Sequence, residues 1–298
     1  MEKMQFLESD DLIDIRYDNV FKAVFARNTP ASQGALSSLI SALVGRELLV
    51  TEISANEPPI DDLRDRQIRF DIFCKSANDE LVNIEMSLNP DPFEPVRLEF
   101  YAGKLFTRQD IRGSNRGYGD LKEAYQITIL SKERFFPDEN FLHTFEYYDP
   151  VNKVTLNGKS RIITLELSKL DNVIEKPAVE MNVQEYWAVF FRYLTDKSKR
   201  RKINEILDCE EGIAMAGKVL INISKDEVEW ARLMSEYKYQ LDTQSKLVYA
   251  EREGLKRGME RGLQKGMQKG MQIGEQKIID LLKSGKSPEE IIGEYAGK

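Results

Sequence analysis

The sequence predicts an α/β (α+β) fold, a mixed central sheet flanked by helices and followed by a mainly helical C-terminal region. Three observations carry this expectation. Residues 18 to 48 place apolar side chains at helical spacing, and residues 67 to 88 alternate apolar and polar positions on both sides of a short polar break. From Pro177 onward the chain reads as almost wholly helical.

Taken in order, Val20, Phe21, Val24 and Phe25 form one apolar group and Leu36, Leu39, Ile40, Leu43 and Val44 a second. Pro30 lies between them, so two helices joined near residues 28 to 32 are expected, because proline removes a backbone donor and clashes with the preceding turn. Residues 50 to 54 read as a short strand, and Pro58 and Pro59 mark the loop after it. Hairpin strands are expected at roughly 67 to 75 and 81 to 88, then an amphipathic helix over 96 to 109 behind the break PDPFEP. The Gly-rich loop RGSNRGYGD leads to AYQITIL, whose composition suits a buried strand, and RIITLEL at 161 to 167 is a further one.

The chain divides on this reading into residues 1–175, a helical region 176–250 and a Gly-periodic tail 251–298. In the tail, Gly254, Gly258, Gly262, Gly266, Gly270 and Gly274 repeat every four residues, and Leu or Met follows each of the first five. On a helix each step turns this stripe by about 40°. Each glycine weakens an isolated helix by roughly 1 kcal/mol relative to alanine, so something must compensate. Two readings stand: close approach of a second helix, giving a homo-oligomer, or a partly disordered tether. Ser287, Pro288 and Glu290 form a capping-box pattern that starts a last short helix.

Composition narrows the chemistry. With 41% hydrophobic and 31% charged residues the chain has a soluble composition. Its opening MEKMQFLESDDL is too acidic for a signal peptide, and no run approaches the ~18 apolar residues of a membrane helix. A cytoplasmic protein with no membrane partner is expected. A net charge of −7 argues against general polyanion binding, although KSKRRK at 197 to 202 and the segment 252 to 286 are locally basic. Cys74 and Cys209 have no metal-ligand spacing, and the single histidine, His143, rules out an HExxH pair. No GxSxG accompanies it, so catalysis would be carboxylate and metal chemistry.

The hairpin supplies the carboxylates. If it turns about Asn78, opposed residue numbers total 156 and Asp71 lies across from Glu85. Strand parity sets Arg69, Asp71, Phe73, Asn83, Glu85 and Ser87 on one face, and Ile68, Phe70, Ile72, Cys74, Val82, Ile84, Met86 and Leu88 on the other, core face. Like charges directly opposed on neighbouring strands are destabilising. One reading is a Mg²⁺ or Mn²⁺ ion that bridges them and activates water towards a phosphodiester. The other is a solvated hairpin face with both acids in water.

The order helix, three strands, helix, strand, with Asp in the second strand and ExS in the third, resembles the PD-(D/E)XK restriction-endonuclease-like core. YDNVFKAVFARN, RFDIFCKS, LVNIEMS, VRLEFYAGKLF, YGDLKEAYQITIL, RIITLELSKL and the tail beginning EGLKRG together resemble the recombination-promoting nuclease and putative transposase family (PD-(D/E)XK nuclease family transposases). The resemblance implies a Mg²⁺- or Mn²⁺-dependent bacterial DNA endonuclease linked to transposition or recombination. It makes Asp71, Glu85 and the carbonyl of Met86 the metal ligands, and Asp18 the early acidic residue, for which a helix N-cap role is the alternative. Ser87 stands where the fold usually has Lys and the family usually Gln, so the positive charge must come from elsewhere, with Lys75 and Lys104 as candidates, or catalysis is lost. A catalytically degenerate, DNA-binding or oligomerising module is the alternative. On the helix from Val96, Arg97, Lys104 and Arg108 form one stripe at spacings of seven and four, a layout for phosphate contacts or plain solvated surface. With Lys22 they are the expected DNA contacts, with Arg112 and Arg116 in the Gly-rich loop ranked below them.

Overall fold

The computed structural model describes residues 3–54, 71–90, 92–111, 116–132 and 134–295. Two helices open the fold, α1 (Asp18–Phe25) and α2 (Pro30–Val44), split at Pro30 as the sequence predicts. The Thr29 hydroxyl caps α2 by accepting from the Ser32 amide at 3.2 Å, and Pro30 occupies a first-turn position where no amide donor is needed. Gly45 ends the helix with φ 80°, a left-handed conformation suited to glycine.

The strands β1 (Val50–Ser54), β2 (Ile72–Ser76) and β3 (Leu81–Ser87) follow, then α3 (Glu94–Thr107) and β4 (Ala124–Leu130). β5 (Leu142–Phe145), the short pair β6 (Tyr148–Asp149) and β7 (Val154–Thr155), and β8 (Ser160–Glu166) complete the strands among the described residues. The main sheet has the order β1-β2-β3-β4-β8-β5. Its centre, β3-β4-β8, is parallel, with α3 as the crossover from β3 to β4, while both edges are antiparallel. This is the mixed sheet that the sequence predicts.

The hairpin pairs Ile72 with Ile84, Phe73 with Asn83, Cys74 with Val82 and Lys75 with Leu81. Every pair totals 156, the register expected from a turn about Asn78. Asp79 in that turn takes a positive φ of 62°. The expected strand residues 67 to 70 lie outside the described residues. α3 starts at Glu94, two residues earlier than its apolar pattern suggests, because Pro95 is tolerated in a first turn.

The solvated reading of the second hairpin face does not hold. Every residue of β3 is buried. Ile72, Cys74, Val82, Ile84 and Met86 join the main core with α1 and α2, while α3 covers the opposite face, where Leu105 packs with Phe73, Leu81 and Ala124. Glu85 therefore sits under a helix.

α4 (Asp171–Ile174), α5 (Val183–Tyr193), α6 (Arg200–Cys209) and α7 (Glu211–Lys225) add a helical layer. Trp187 and Phe191 of α5 pack against Phe21 and Phe25 of α1 and are joined by Phe190, with ring centroids of neighbouring pairs 5.8 to 6.1 Å apart. The N-terminal segment is tied to this layer: the Phe6 amide donates to Asn204 Oδ1 at 2.9 Å, and Asn204 Nδ2 donates to the Phe6 carbonyl at 3.0 Å.

The described chain forms two compact units, parted between Tyr237 and Lys238. α8 (Glu227–Lys283) contributes the buried Leu233 to the first. Within the second, Gly254 to Gly274 lie on helix, and a Cβ at any of the six would meet nothing within 4 Å. Leu255, Met259, Leu263, Met267 and Met271 are all exposed. α9 (Pro288–Tyr295) begins with the expected capping box, in which the Ser287 amide donates to Glu290 Oε2 at 2.8 Å and the Glu290 amide to Ser287 Oγ at 3.3 Å. No helix among the described residues is long and apolar enough to cross a membrane.

Candidate active site

Glu85, Met86 and Ser87 end β3 at the carboxyl edge of the parallel strands, the edge where open α/β sheets hold ligands. Asp71 precedes β2 by one residue, so the hairpin register carries it opposite Glu85. Its Oδ2 accepts from the Met86 amide at 3.3 Å. The carboxylate of one strand is thereby anchored on the backbone of the other.

The surroundings penalise negative charge. Burial is the main cause that pushes the Glu85 carboxyl up to about 8, with the nearby Asp71 adding to it and Asn83 and Arg97 opposing. Asp71 is pushed up to about 6 by burial and then by Asp18, against the pull of Lys22. Asn83 Nδ2 donates to Glu85 Oε1 at 2.9 Å and to Gln126 Oε1 at 2.8 Å, so a buried amide pair on β3 and β4 fixes one Glu85 oxygen. The other faces Arg97 of α3 at 3.9 Å.

α1 supplies the remaining groups. Asp18 is its first residue, while Tyr17 holds the cap position, so Asp18 is not the N-cap that its residue type allows. Lys22, one turn on, places its ammonium 2.9 Å from Asp18 Oδ1 and 3.0 Å from Asp71 Oδ1. Burial alone would lower the Lys22 pKa, but Asp71 and Asp18 outweigh it and the net direction is up.

Asp18, Lys22, Asp71, Glu85, Met86 and Arg97 thus converge, with Ser87 beside them on β3. Arg108 does not join them. It lies over the Phe73 ring at 4.4 Å, in a separate cavity of about 810 Å³ that Lys75 and Arg116 also line. Arg112 falls outside the described residues. Lys104 lies over Phe100 at 5.8 Å on the outer side of α3. Lys75 is 3.5 Å from Glu52. Among the described residues, the cations that reach the carboxylates are Lys22 and Arg97.

Sequence reasoning placed Asn83 on the Glu85 face without giving it a role, and missed Glu94 and Tyr101. Glu94, 3% exposed, holds Arg97 at 2.6 Å, and the Arg97 guanidinium lies 5.7 Å above the Tyr101 ring. Arg97 and Tyr101, four residues apart, were visible as one side of the expected helix, with Glu94 in the break PDPFEP before it. Its inward aim was not.

The donor set suits a hard divalent cation: two opposed, partly desolvated carboxylates and a strand-end carbonyl are oxygen ligands. An ammonium already occupies part of that field, since Lys22 bridges Asp18 and Asp71. Among the described residues no group of three or more His, Cys, Asp and Glu side chains is arranged to hold a metal, so water or substrate oxygens would have to complete a shell.

A family model, PD-(D/E)XK nuclease family transposase, matches residues 15–250. No curated protein and no solved structure matches the chain. The six-stranded mixed sheet, its flanking helices and the helical C-terminal region are consistent with that fold. With most of its length matched, from before α1 into α8, the chain belongs to the PD-(D/E)XK nuclease family transposases.

Proposed function

We propose that the protein is a Mg²⁺- or Mn²⁺-dependent DNA endonuclease serving transposition or recombination in the bacterial cytoplasm and nucleoid. The observation that carries this reading is the convergence of Asp71 and Glu85 at a buried strand end, with Asp71 held on the Met86 amide at 3.3 Å. Asp71, Glu85 and the Met86 carbonyl would hold the cation, which supplies Lewis acidity and lowers the pKa of water.

The chain's own groups have separable roles. Asn83 fixes one Glu85 oxygen, leaving the other directed towards Arg97. Lys22 brings a fixed positive charge to the place where a phosphodiester gains negative charge. Arg97, anchored on Glu94, orients a phosphate beside Glu85. Lys22 and Arg97 in this way stand in for the charge that Ser87 lacks.

Residues 1–175 form the nuclease unit on this reading, with 176–250 as its helical extension. Residues 251–298 associate with a second copy through the exposed Leu and Met row, where the adjacent glycines leave room for a neighbouring helix. The test is plasmid cleavage in Mg²⁺ by the wild-type protein, Asp71→Ala and Glu85→Ala at equal folded concentration. Cleavage by the wild type that both variants lose is expected; activity surviving in both removes the assignment.

Ser87 favours a second reading, a nuclease fold that has lost catalysis and retains DNA binding or self-association. It predicts DNA retention without nicking. Cleavage gained in Ser87→Gln would identify a damaged enzyme.

A further inference from the structure

Beyond the carboxylates, α3 presents an outer face whose apolar side chains and Lys104 have no part in that chemistry and which Arg97 borders. Phe93, Val96 and Phe100 are 73%, 64% and 51% exposed. At about 100° per residue, Phe93, Val96, Arg97, Phe100 and Lys104 fall within roughly 100° of arc. Large apolar side chains gathered in an exposed row mark an interaction surface more often than scattered ones do. Cations are interleaved with them: the Lys104 ammonium is 5.8 Å from the Phe100 ring centre, and Arg97 leads from this row to Glu85 at 3.9 Å. The acidic residues of the helix lie elsewhere. Glu94 is turned inward onto Arg97, and Glu99 lines a cavity on another side with Leu98 and Ala102.

We propose that this face is a base-stacking ridge for single-stranded DNA, with Phe93 and Phe100 each stacking on an unpaired base and Arg97 and Lys104 meeting the phosphates. The inference rests on the endonuclease reading for its choice of DNA and names the substrate form which that site takes. The two rings are seven residues apart, roughly 10 Å along the axis, or about three steps of stacked bases. A helix reading duplex DNA in the major groove sends polar side chains to base edges, Arg and Lys to guanine and Asn and Gln to adenine. The row from Phe93 to Lys104 has no Asn or Gln, and its Arg97 is held by Glu94 at 2.6 Å. Aromatic faces can engage only bases whose own faces are uncovered, as in a single strand.

The experiment is fluorescence anisotropy of the full-length protein in EDTA with a fluorescein-labelled oligonucleotide of mixed sequence, single-stranded or annealed to its complement. Single-strand binding tighter than duplex binding is expected. Phe93→Ala and Phe100→Ala should each weaken it by roughly 5- to 100-fold, with Trp at either position retaining it. Lys104→Gln should flatten the dependence of log affinity on log salt by roughly 0.7. Both rings are exposed, so unchanged melting temperatures separate lost binding from lost folding. Equal affinity for duplex and single strand, unchanged affinity in the double Ala variant, or tighter binding of the matching RNA strand would each overturn the proposal. So would a change of sedimentation in the double variant with DNA affinity intact, which would make the ridge a contact between copies. Because binding is read without metal, the two readings fail separately. Ring-dependent binding without cleavage keeps the ridge and removes the nuclease, while cleavage that needs Asp71 but neither ring does the reverse.

Discussion

Glu85 is held against a gradient of solvation. A buried carboxyl prefers to keep its proton, and Glu85 stays protonated up to about pH 8 in the metal-free protein. Its folded pKa lies above the ordinary 4.5, so between those values the folded protein holds a proton that the unfolded chain has released. Stability from this group is full at low pH and is lost as pH rises through the folded value, at up to about 1.4 kcal/mol per pH unit. Glu85→Gln removes the titration. Thermal melts in EDTA should therefore show the variant gaining on the wild type from about pH 5 to pH 8, and a difference that is flat with pH would show that the carboxyl is not buried in this way. The same proton competes with a cation, so calorimetric Mn²⁺ affinity should rise over that interval with protons released, and should vanish in Asp71→Asn. At this scale the pairing of Asp71 with Glu85 was legible, because the polar break SANDE fixes the turn and parity does the rest. Lys22 on Asp71 was not, since the contact joins residues forty-nine apart in sequence and nothing in α1 records what faces it.

The hairpin and the helices also differ in how much of their packing sequence shows. Alternation located β2 and β3 but suggested a half-exposed face, whereas β3 is covered on both sides because α3 returns across it as the parallel crossover. Arg97 and Arg108 looked equivalent on one helical stripe, yet one reaches Glu85 and the other Phe73. α2 and α7 illustrate a constraint invisible to periodicity. A Cβ at Gly212 would lie 2.2 Å from the Ser38 Cβ, so the two helices meet where one must lack a side chain. Gly212→Ala should destabilise the protein by about 1–3 kcal/mol in denaturant titration, despite the better helix propensity of alanine. Ser38→Gly in the same chain should return part of the loss. A neutral Gly212→Ala would mean that the helices lie further apart.

At the scale of the molecule, the start of α8, within the first compact unit, packs on the helix that bears Asp18 and Lys22. The first turns of α8 lie against α1: Asn19 Nδ2 donates to the Leu233 carbonyl at 2.8 Å, Arg27 meets Glu229 at 2.7 Å, and the Leu233 side chain is 1% exposed. α1 has eight residues and no side-chain cap, too short to persist on its own, and it bears Asp18 and Lys22. Sequence showed the repeat by its period but not this anchorage, because Leu233 stands near Trp230, Ala231 and Met234 and nothing in that stretch marks which of them is buried. Two truncations separate the roles. A chain ending at Tyr237 keeps Leu233 and the contacts to Asn19 and Arg27, so it should melt close to the full-length protein while losing the self-association proposed for the tail. A chain ending at Asp226 loses all three. It should be less stable by at least the roughly 2–5 kcal/mol of a deleted buried leucine, with α1 amides exchanging faster in deuterium-exchange mass spectrometry. If both chains melt alike and protect α1 alike, α8 is only a carrier for the tail; if the shorter one alone frees α1, the base of α8 is part of what holds Lys22 against Asp71.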